Sequence, residues 1–243
     1  MFTKNRKKLI KSLHQKKYRD AHGLFIVEGE KMTRELISLN SIGLGATITD
    51  LYCISSLQES FPEAEIISSE DMTSITAFKT SPGILAVAEQ PSLPELDLDR
   101  INSILILDDI KDPGNLGTII RSAEWFGIEA IILSPQTVEL YNPKTVQSTM
   151  GSLFRATIYR GELEKMYLAL TQNKFTIYAA DMNGDDIKLE KWAEKKALII
   201  GSEAHGISAA SKMNAHKIMS IQGVGNAESL NAGVAASIII SNW

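Results

Sequence analysis

The stretch SILILDDIKDPGNLGTIIRSAEWFG, residues 103–127, decides the fold. Residues 104–107 are an unbroken apolar run, the signature of a buried strand. The run ends on Asp108 and Asp109. Lys111-Asp112-Pro113-Gly114-Asn115 is a turn by composition, since Pro presets φ and Gly and Asn tolerate positive φ. Apolar residues then return at helical spacing, at Leu116, Ile119, Ile120, Ala123 and Phe126, and Gly127 suits a helix C-terminus. Strand, polar loop and helix make one unit of an open α/β sheet. In such sheets ligands bind at loops on the carboxyl ends of strands. Arg121 lies six residues beyond Asn115 on this helix, close to two turns, so both can border one crevice. On spacing alone Arg121 is a surface charge.

Working outward, the alternation continues. Strands are predicted at 130–133, 156–159, 175–180, 197–200 and 217–221, and helices at 144–150 and 163–170, with a last helix from Ser229 to Trp243. Asp181-Met182-Asn183-Gly184-Asp185 reads as a turn. This pattern predicts a mainly parallel sheet with helices on both faces. Two further loops follow strands. Gly201-Ser202-Glu203-Ala204-His205-Gly206-Ile207-Ser208 has glycines for a close backbone path and Ser208 to cap a helix. The segment from Ile221 to Asn231 reads as strand end, glycine loop and helix start, leaving Ser229, Leu230 and Asn231 as orphan helix donors. Such donors bind a carboxylate or a base edge through the main chain.

Three stretches in this order resemble the motifs of the SpoU (TrmH-like) RNA ribose 2′-O-methyltransferases of the SPOUT superfamily. They are Asp112-Pro113-x-Asn115-x-Gly117-x-x-x-Arg121-x-Ala123, the glycine loop 201–208, and Ile221-x-x-x-Gly225-x-x-Glu228-Ser229-Leu230-Asn231. The resemblance implies a trefoil knot in the C-terminal region, an S-adenosylmethionine pocket formed by the knot loops, and a homodimer through the knotted region. It assigns catalytic roles to Arg121, Asn115, Glu203, Ser229 and Asn231. It assigns cofactor contacts to Gly201, Ile221, Leu230, Ser229 and Ala180. Two positions depart from the family pattern: Gln222 stands where proline is usual, and Gly233 where alanine or a small hydroxyl residue is common.

Upstream, residues 1–19 carry eight Lys or Arg and no acid, on a chain whose net charge is −4. A basic arm on an acidic body is a usable phosphate contact. Residues 4–16 read as a short basic helix, 24–27, 48–54, 65–67 and 84–88 as strands, and 30–39 as a helix. That is a small α/β unit. Phe25-Ile26-Val27-Glu28-Gly29-Glu30-Lys31 and Gly83-Ile84-Leu85-Ala86-Val87 resemble the L30e-like RNA-binding domain that precedes the catalytic domain in many relatives. Glu28 reads equally as a substrate contact or as an acid stabilised by a helix dipole. Gln90-Pro91-Ser92-Leu93-Pro94-Glu95 is the expected linker, because two prolines disfavour helix and central strand. The expected domains are 1–92, binding RNA, and 100–243, catalytic.

The 44% hydrophobic and 22% charged content fit a soluble globular protein with a sizeable core. One cysteine, Cys53, excludes an internal disulfide. No apolar run approaches the ~20 residues of a membrane span, and no apolar segment follows the basic start, so the expected location is cytoplasmic. His14, His22, His205, His216 and Cys53 have no metal-ligand spacing, so no metal is expected. Gly223-Val224-Gly225 precedes a helix, but Glu228 replaces the third glycine of a dinucleotide fingerprint. No P-loop or nucleophile-elbow motif is present. The resemblance implies an S-adenosylmethionine-dependent RNA 2′-O-ribose methyltransferase, favouring ribosomal RNA. Transfer RNA methylation and a non-catalytic RNA-binding or assembly role on the same fold are the alternatives.

Overall fold

A computed structural model describes residues 2–92 and 96–243. Leu93, Pro94 and Glu95 of the expected linker lie outside the described residues. The chain packs as two compact units. One contains the residues up to Ser92 together with Glu139–Arg155, and the other contains the segment up to Val138 together with Ala156–Trp243.

In the first unit, helices α1 (Lys4–Ser12) and α2 (Lys16–His22) precede β1 (Leu24–Glu28), α3 (Glu30–Ser41), β2 (Ile48–Cys53), β3 (Glu65–Ile66), α4 (Ser69–Ile75) and β4 (Ile84–Glu89). The basic helix expected over 4–16 is broken. Leu13 closes α1 as its C-cap, and the chain restarts after extended Gln15. The sheet order is β1-β4-β2-β3; β4 is antiparallel to both its neighbours, and β2 and β3 are parallel. Ile10, Leu13, Ile26, Tyr52, Met72, Ile75, Leu85 and Val87 form its core on the side of α1 and α4.

Two buried polar groups organise this unit. The Arg19 side chain is 2% exposed. Its Nε donates to Glu139 Oε1 at 2.9 Å, its Nη2 contacts Glu139 Oε2, and its Nη1 donates to the Leu13 carbonyl at 2.7 Å. This two-pronged ion pair fixes the start of the 139–155 segment, and the Tyr141 ring packs 4.7 Å from that of Phe25. Glu28 is a strand-end residue rather than a helix-start acid. It is buried and accepts hydrogen bonds from Thr76 Oγ1 and from the Ala77 amide. Burial pushes its carboxyl above the ordinary value, and the two hydrogen bonds and nearby His14 pull only partly back.

The second unit runs β5 (Ser103–Asp108), α5 (Pro113–Trp125) and β6 (Ala130–Leu133). The chain then passes through α6 (Pro143–Thr149), which packs on β1 of the first unit's own sheet, before β7 (Ile158–Arg160). It continues through α7 (Leu163–Gln172), β8 (Thr176–Asp186), β9 (Lys196–Gly201), α8 (Ala209–Asn214), β10 (Lys217–Ser220) and α9 (Ala232–Ile240). Every pairing is parallel, in the order β10-β8-β9-β5-β6-β7. Ile104, Leu105, Ile106 and Leu107 are all fully buried, as a central parallel strand covered on both faces requires.

Three expectations are corrected here. Helix α5 begins at Pro113, three residues before the first apolar position, because Asp112 caps it by accepting from the Asn115 amide at 2.9 Å. Residues 181–185 are not a turn but part of β8, where Asp185 and Asp186 pair with Met219 and Ser220 beyond a register shift. The last helix starts at Ala232 rather than Ser229, because Asn231 is its N-cap.

Two tests follow for the first unit. Arg19→Met leaves the Glu139 carboxylate largely buried without its partner, which costs about 3–5 kcal/mol. The urea midpoint should fall with an unchanged denaturant slope. For Glu28, a raised folded-state pKa means that its stabilising contribution is full below the unfolded value near 4.5 and is lost as pH rises through the folded value. The stability difference between the wild type and Glu28→Gln should therefore move against the wild type as pH climbs above 4.5. A difference that stays flat across a urea series at stepped pH would refute this.

Candidate active site

The parallel order brings the carboxyl ends of β5 and β9 together, with β8 and β10 beyond them. Gly201 ends β9, directly opposite Asp108 at the end of β5. Ala180, half-buried, lies one residue past the Ala179–Ile199 pair on the other side of β9. Ser220 ends β10 beyond it, and Ile221, half-buried, leads into the final loop.

Asn115 sits in the first turn of α5. Its Nδ2 donates to Glu203 Oε1, and its Oδ1 accepts from Asn231 Nδ2 at 2.8 Å. Asn231 Oδ1 in turn accepts the amides of Gly233 at 2.9 Å and Val234 at 3.3 Å. These bonds fix which way both side-chain amides point. A hydrogen-bonded chain thus runs from Glu203 through Asn115 to the amino end of α9, joining the three loops the sequence singled out. Helix α9 lies close on α5: a Cβ on Gly233 would come within 3.1 Å of Thr118 Cγ2, and Ser122 and Ser237 share a hydrogen bond of 2.7 Å. The glycine in place of a larger residue suits this approach.

The 201–208 loop is closed on itself. The Ser202 amide donates to the Gly206 carbonyl at 3.0 Å, and the Gly206 amide donates back at 2.8 Å. A Cβ at Gly201 would fall 2.2 Å from the Gly206 carbonyl carbon, so only glycine fits there. Beneath the loop, buried Asp108 Oδ2 accepts the Ser208 amide at 2.8 Å and the Ser211 hydroxyl at 2.5 Å. Ser211 Oγ also bonds Ser208 Oγ at 2.9 Å and the Tyr167 hydroxyl at 2.6 Å. Burial pushes the Tyr167 phenol above its ordinary value, so it stays a donor. Sequence reasoning missed this anchor. Its signal was an acid ending an otherwise apolar strand.

Other expected residues are not joined to this chain of bonds. Arg121 is exposed on α5, and its side chain makes no hydrogen bond or ion pair to any described residue. Ser229 and Leu230 are exposed and precede α9, so the orphan donors of that helix are those of 232–234, two of which Asn231 already satisfies. Residues 222–230 are all exposed, and their main chain makes no hydrogen bond among the described residues. The Gln222 side chain donates to Ser220 Oγ at 3.2 Å, tying the loop where proline would have stiffened it. Among the described residues no group of His, Cys, Asp and Glu is placed to hold a metal. Asn231→Ala removes the cap and the bond to Asn115 together. It should cost about 1 kcal/mol and lower the melting temperature by about 2–4 °C in a thermal scan.

The comparisons with known proteins converge. The family model for the SpoU rRNA methylase family matches residues 102–241, and that for the MRM3-like substrate-binding domain matches residues 4–86. The chain is 32% identical to the 23S rRNA (guanosine(2553)-2′-O)-methyltransferase RlmP of Bacillus subtilis over 231 residues, covering 95% of this chain and 92% of that protein. It is similar to the crystal structure of an AdoMet-bound rRNA methyltransferase from Sinorhizobium meliloti. That match has a TM-score of 0.85 and 27% identity, over 100% of this chain and 95% of the other. The fold also matches that of the SpoU methyltransferase AviRb from Streptomyces viridochromogenes, with a TM-score of 0.83 and 24% identity over 99% of this chain and 97% of the other. On its sequence and its fold, the chain belongs to the SpoU rRNA methylase family.

Proposed function

We propose that the chain transfers a methyl group from S-adenosylmethionine to a ribose 2′-hydroxyl of RNA, ribosomal RNA rather than transfer RNA. The observation that carries this is the Glu203–Asn115–Asn231 hydrogen-bonded chain, with an unengaged, exposed Arg121 on the same helix as Asn115. The ribosomal choice rests on the relatives, which are named as rRNA methyltransferases.

The cofactor fits the residues present. Residues 222–230 offer free main-chain donors and acceptors beside exposed Val224 and Leu230, the mixed polar and apolar surface that an adenosyl group needs. Gly201, Ile221, Leu230, Ser229 and Ala180 are the residues that would hold it. When bound, it supplies an electrophilic methyl whose transfer needs an aligned oxygen and the loss of one proton.

Alignment falls to Asn115, Asn231 and Ser229, and Glu203 holds Asn115 in place. A guanidinium presents a planar fork of donors and no acceptor, which suits Arg121 to anchoring a phosphate, and the 2′-hydroxyl proton leaves to solvent. A guanidinium gripping the adjacent phosphate stabilises charge developing on the 2′-oxygen. The first unit grips the RNA, with the substrate-binding match as support. The family resemblance further supports a trefoil knot and a homodimer. Exposed Trp125 and Phe126 at the end of α5 and Val234 on α9 are apolar surface suited to a second copy. The buried free thiol of Cys53 fits a cytoplasmic protein. Among the described residues no helix is long and apolar enough to cross a membrane.

The test is transfer of labelled methyl from S-adenosylmethionine to unmodified ribosomal RNA. An alkali-resistant linkage at one site is expected. Arg121→Ala should lower kcat/KM by about 10²–10³-fold, and Arg121→Lys should recover little, since a point charge does not replace a bidentate grip. Full activity in Arg121→Lys would remove the bidentate contact from the mechanism. Label in transfer RNA alone would move the substrate assignment.

A further inference from the structure

Eight basic residues crowd the first nineteen positions, and the structure divides them. Arg6 pairs with Asp50, Lys7 with Asp71 at 2.7 Å, Lys16 with Asp20 at 2.5 Å and Arg19 with Glu139. Asp20 is the single acid before residue 23, and Lys16 already neutralises it. Lys4, Lys8, Lys11 and Lys17 make no ion pair with any described residue. Two of these four, Lys8 and Lys11, border a groove of about 520 Å³ between α1 and α2. That volume falls within the roughly 300–1,000 Å³ of small-ligand sites.

The helix periods build the groove. Asn5, Lys8 and Ser12 fall at i, i+3 and i+7 on one face of α1. Tyr18 and His22 fall at i and i+4 on α2, and Gln15 lies at the corner between the helices. Gln15 occupies the N-cap of α2 but its side chain makes no cap bond, so its amide stays free. Tyr18 is half-buried, and Lys17 Nζ lies 5.7 Å from its ring centroid. The groove therefore offers an aromatic ring, two side-chain amides and lysines for phosphate. This is the combination that reads an unstacked nucleotide: ring against base, amide against base edge, cation against backbone.

We propose that the α1–α2 groove binds single-stranded RNA, stacking a base on Tyr18 and holding its flanking phosphates with Lys8 and Lys11. This rests on the reading of the chain as an RNA methyltransferase and gives its substrate a second point of attachment.

The test uses the full chain with two probes, a fluorescently labelled single-stranded RNA of about 12 nucleotides and unmodified 23S ribosomal RNA. Lys8→Ala with Lys11→Ala should weaken oligonucleotide binding and flatten the slope of log affinity against log salt by about 1.4. Both lysines are exposed, so the fold is not at risk. Tyr18→Ala should weaken binding about 5- to 150-fold, the span of one base–aromatic stack, while Tyr18→Phe keeps it. The KM for ribosomal RNA should rise in step, and the affinity for S-adenosylmethionine should not change. Wild-type affinity and salt slope in the lysine double variant and in Tyr18→Ala would overturn the proposal. Failure of the wild type to bind the single strand, or equal competition by a duplex of the same sequence, would do so too. Absence of methyl transfer by the wild type would sink the catalytic reading alone, since the groove is judged by binding.

Discussion

One carboxamide holds the second unit's loops in register. Asn115 is 88 residues from Glu203 and 116 from Asn231, and it bonds to both. An amide is the side chain suited to this place, because it donates on one side and accepts on the other. A carboxylate would face Glu203 with like charge, and an aliphatic residue would leave Asn231 and Glu203 without their partner. The parallel sheet makes the meeting possible by ending β5, β9 and β10 at one edge. The buried Asp108–Ser211–Tyr167 cluster then fixes the loop that carries Glu203. Rigidity under the loop and adjustable side chains above it are what a site needs when its work is orientation.

Strands β5, β6 and β9 were legible because each carries a short run of buried aliphatic residues with few rivals for its interpretation. Helix ends were not. Apolar periodicity sees the first residue that packs, whereas α5 starts at Pro113 with a polar turn and α9 starts one residue after its cap. Gly184 misled in a different way. Its composition suggested a turn, but a Cβ there would meet the Ile218 backbone at 2.6 Å, so the glycine serves the close pairing of β8 with β10. Such a contact is a tertiary fact with no local trace.

The three loops could be picked out from residue types and spacing, and the family resemblance singled out Asn115, Glu203 and Asn231 within them. What joins them could not, since a hydrogen bond across about a hundred residues leaves no periodic signal. The same limit hid the sorting of the N-terminal charges. Composition gives eight equivalent cations, and only folding reveals that four are engaged by acids, Arg19 among them in the interior.

The excursion of Glu139–Arg155 into the first unit has a consequence for how this chain can be divided. The polypeptide passes between the two units three times, so no single cut separates them. A fragment beginning after the proline-rich segment would still contain α6, but Glu139 would have lost Arg19, Tyr141 would have lost Phe25, and Arg155 would have lost Glu35. It would be the parallel-sheet unit trailing a sticky loop. The reciprocal fragment, ending near residue 92, would lack the helix that covers β1. Truncation at a single breakpoint therefore finds no clean seam in this chain.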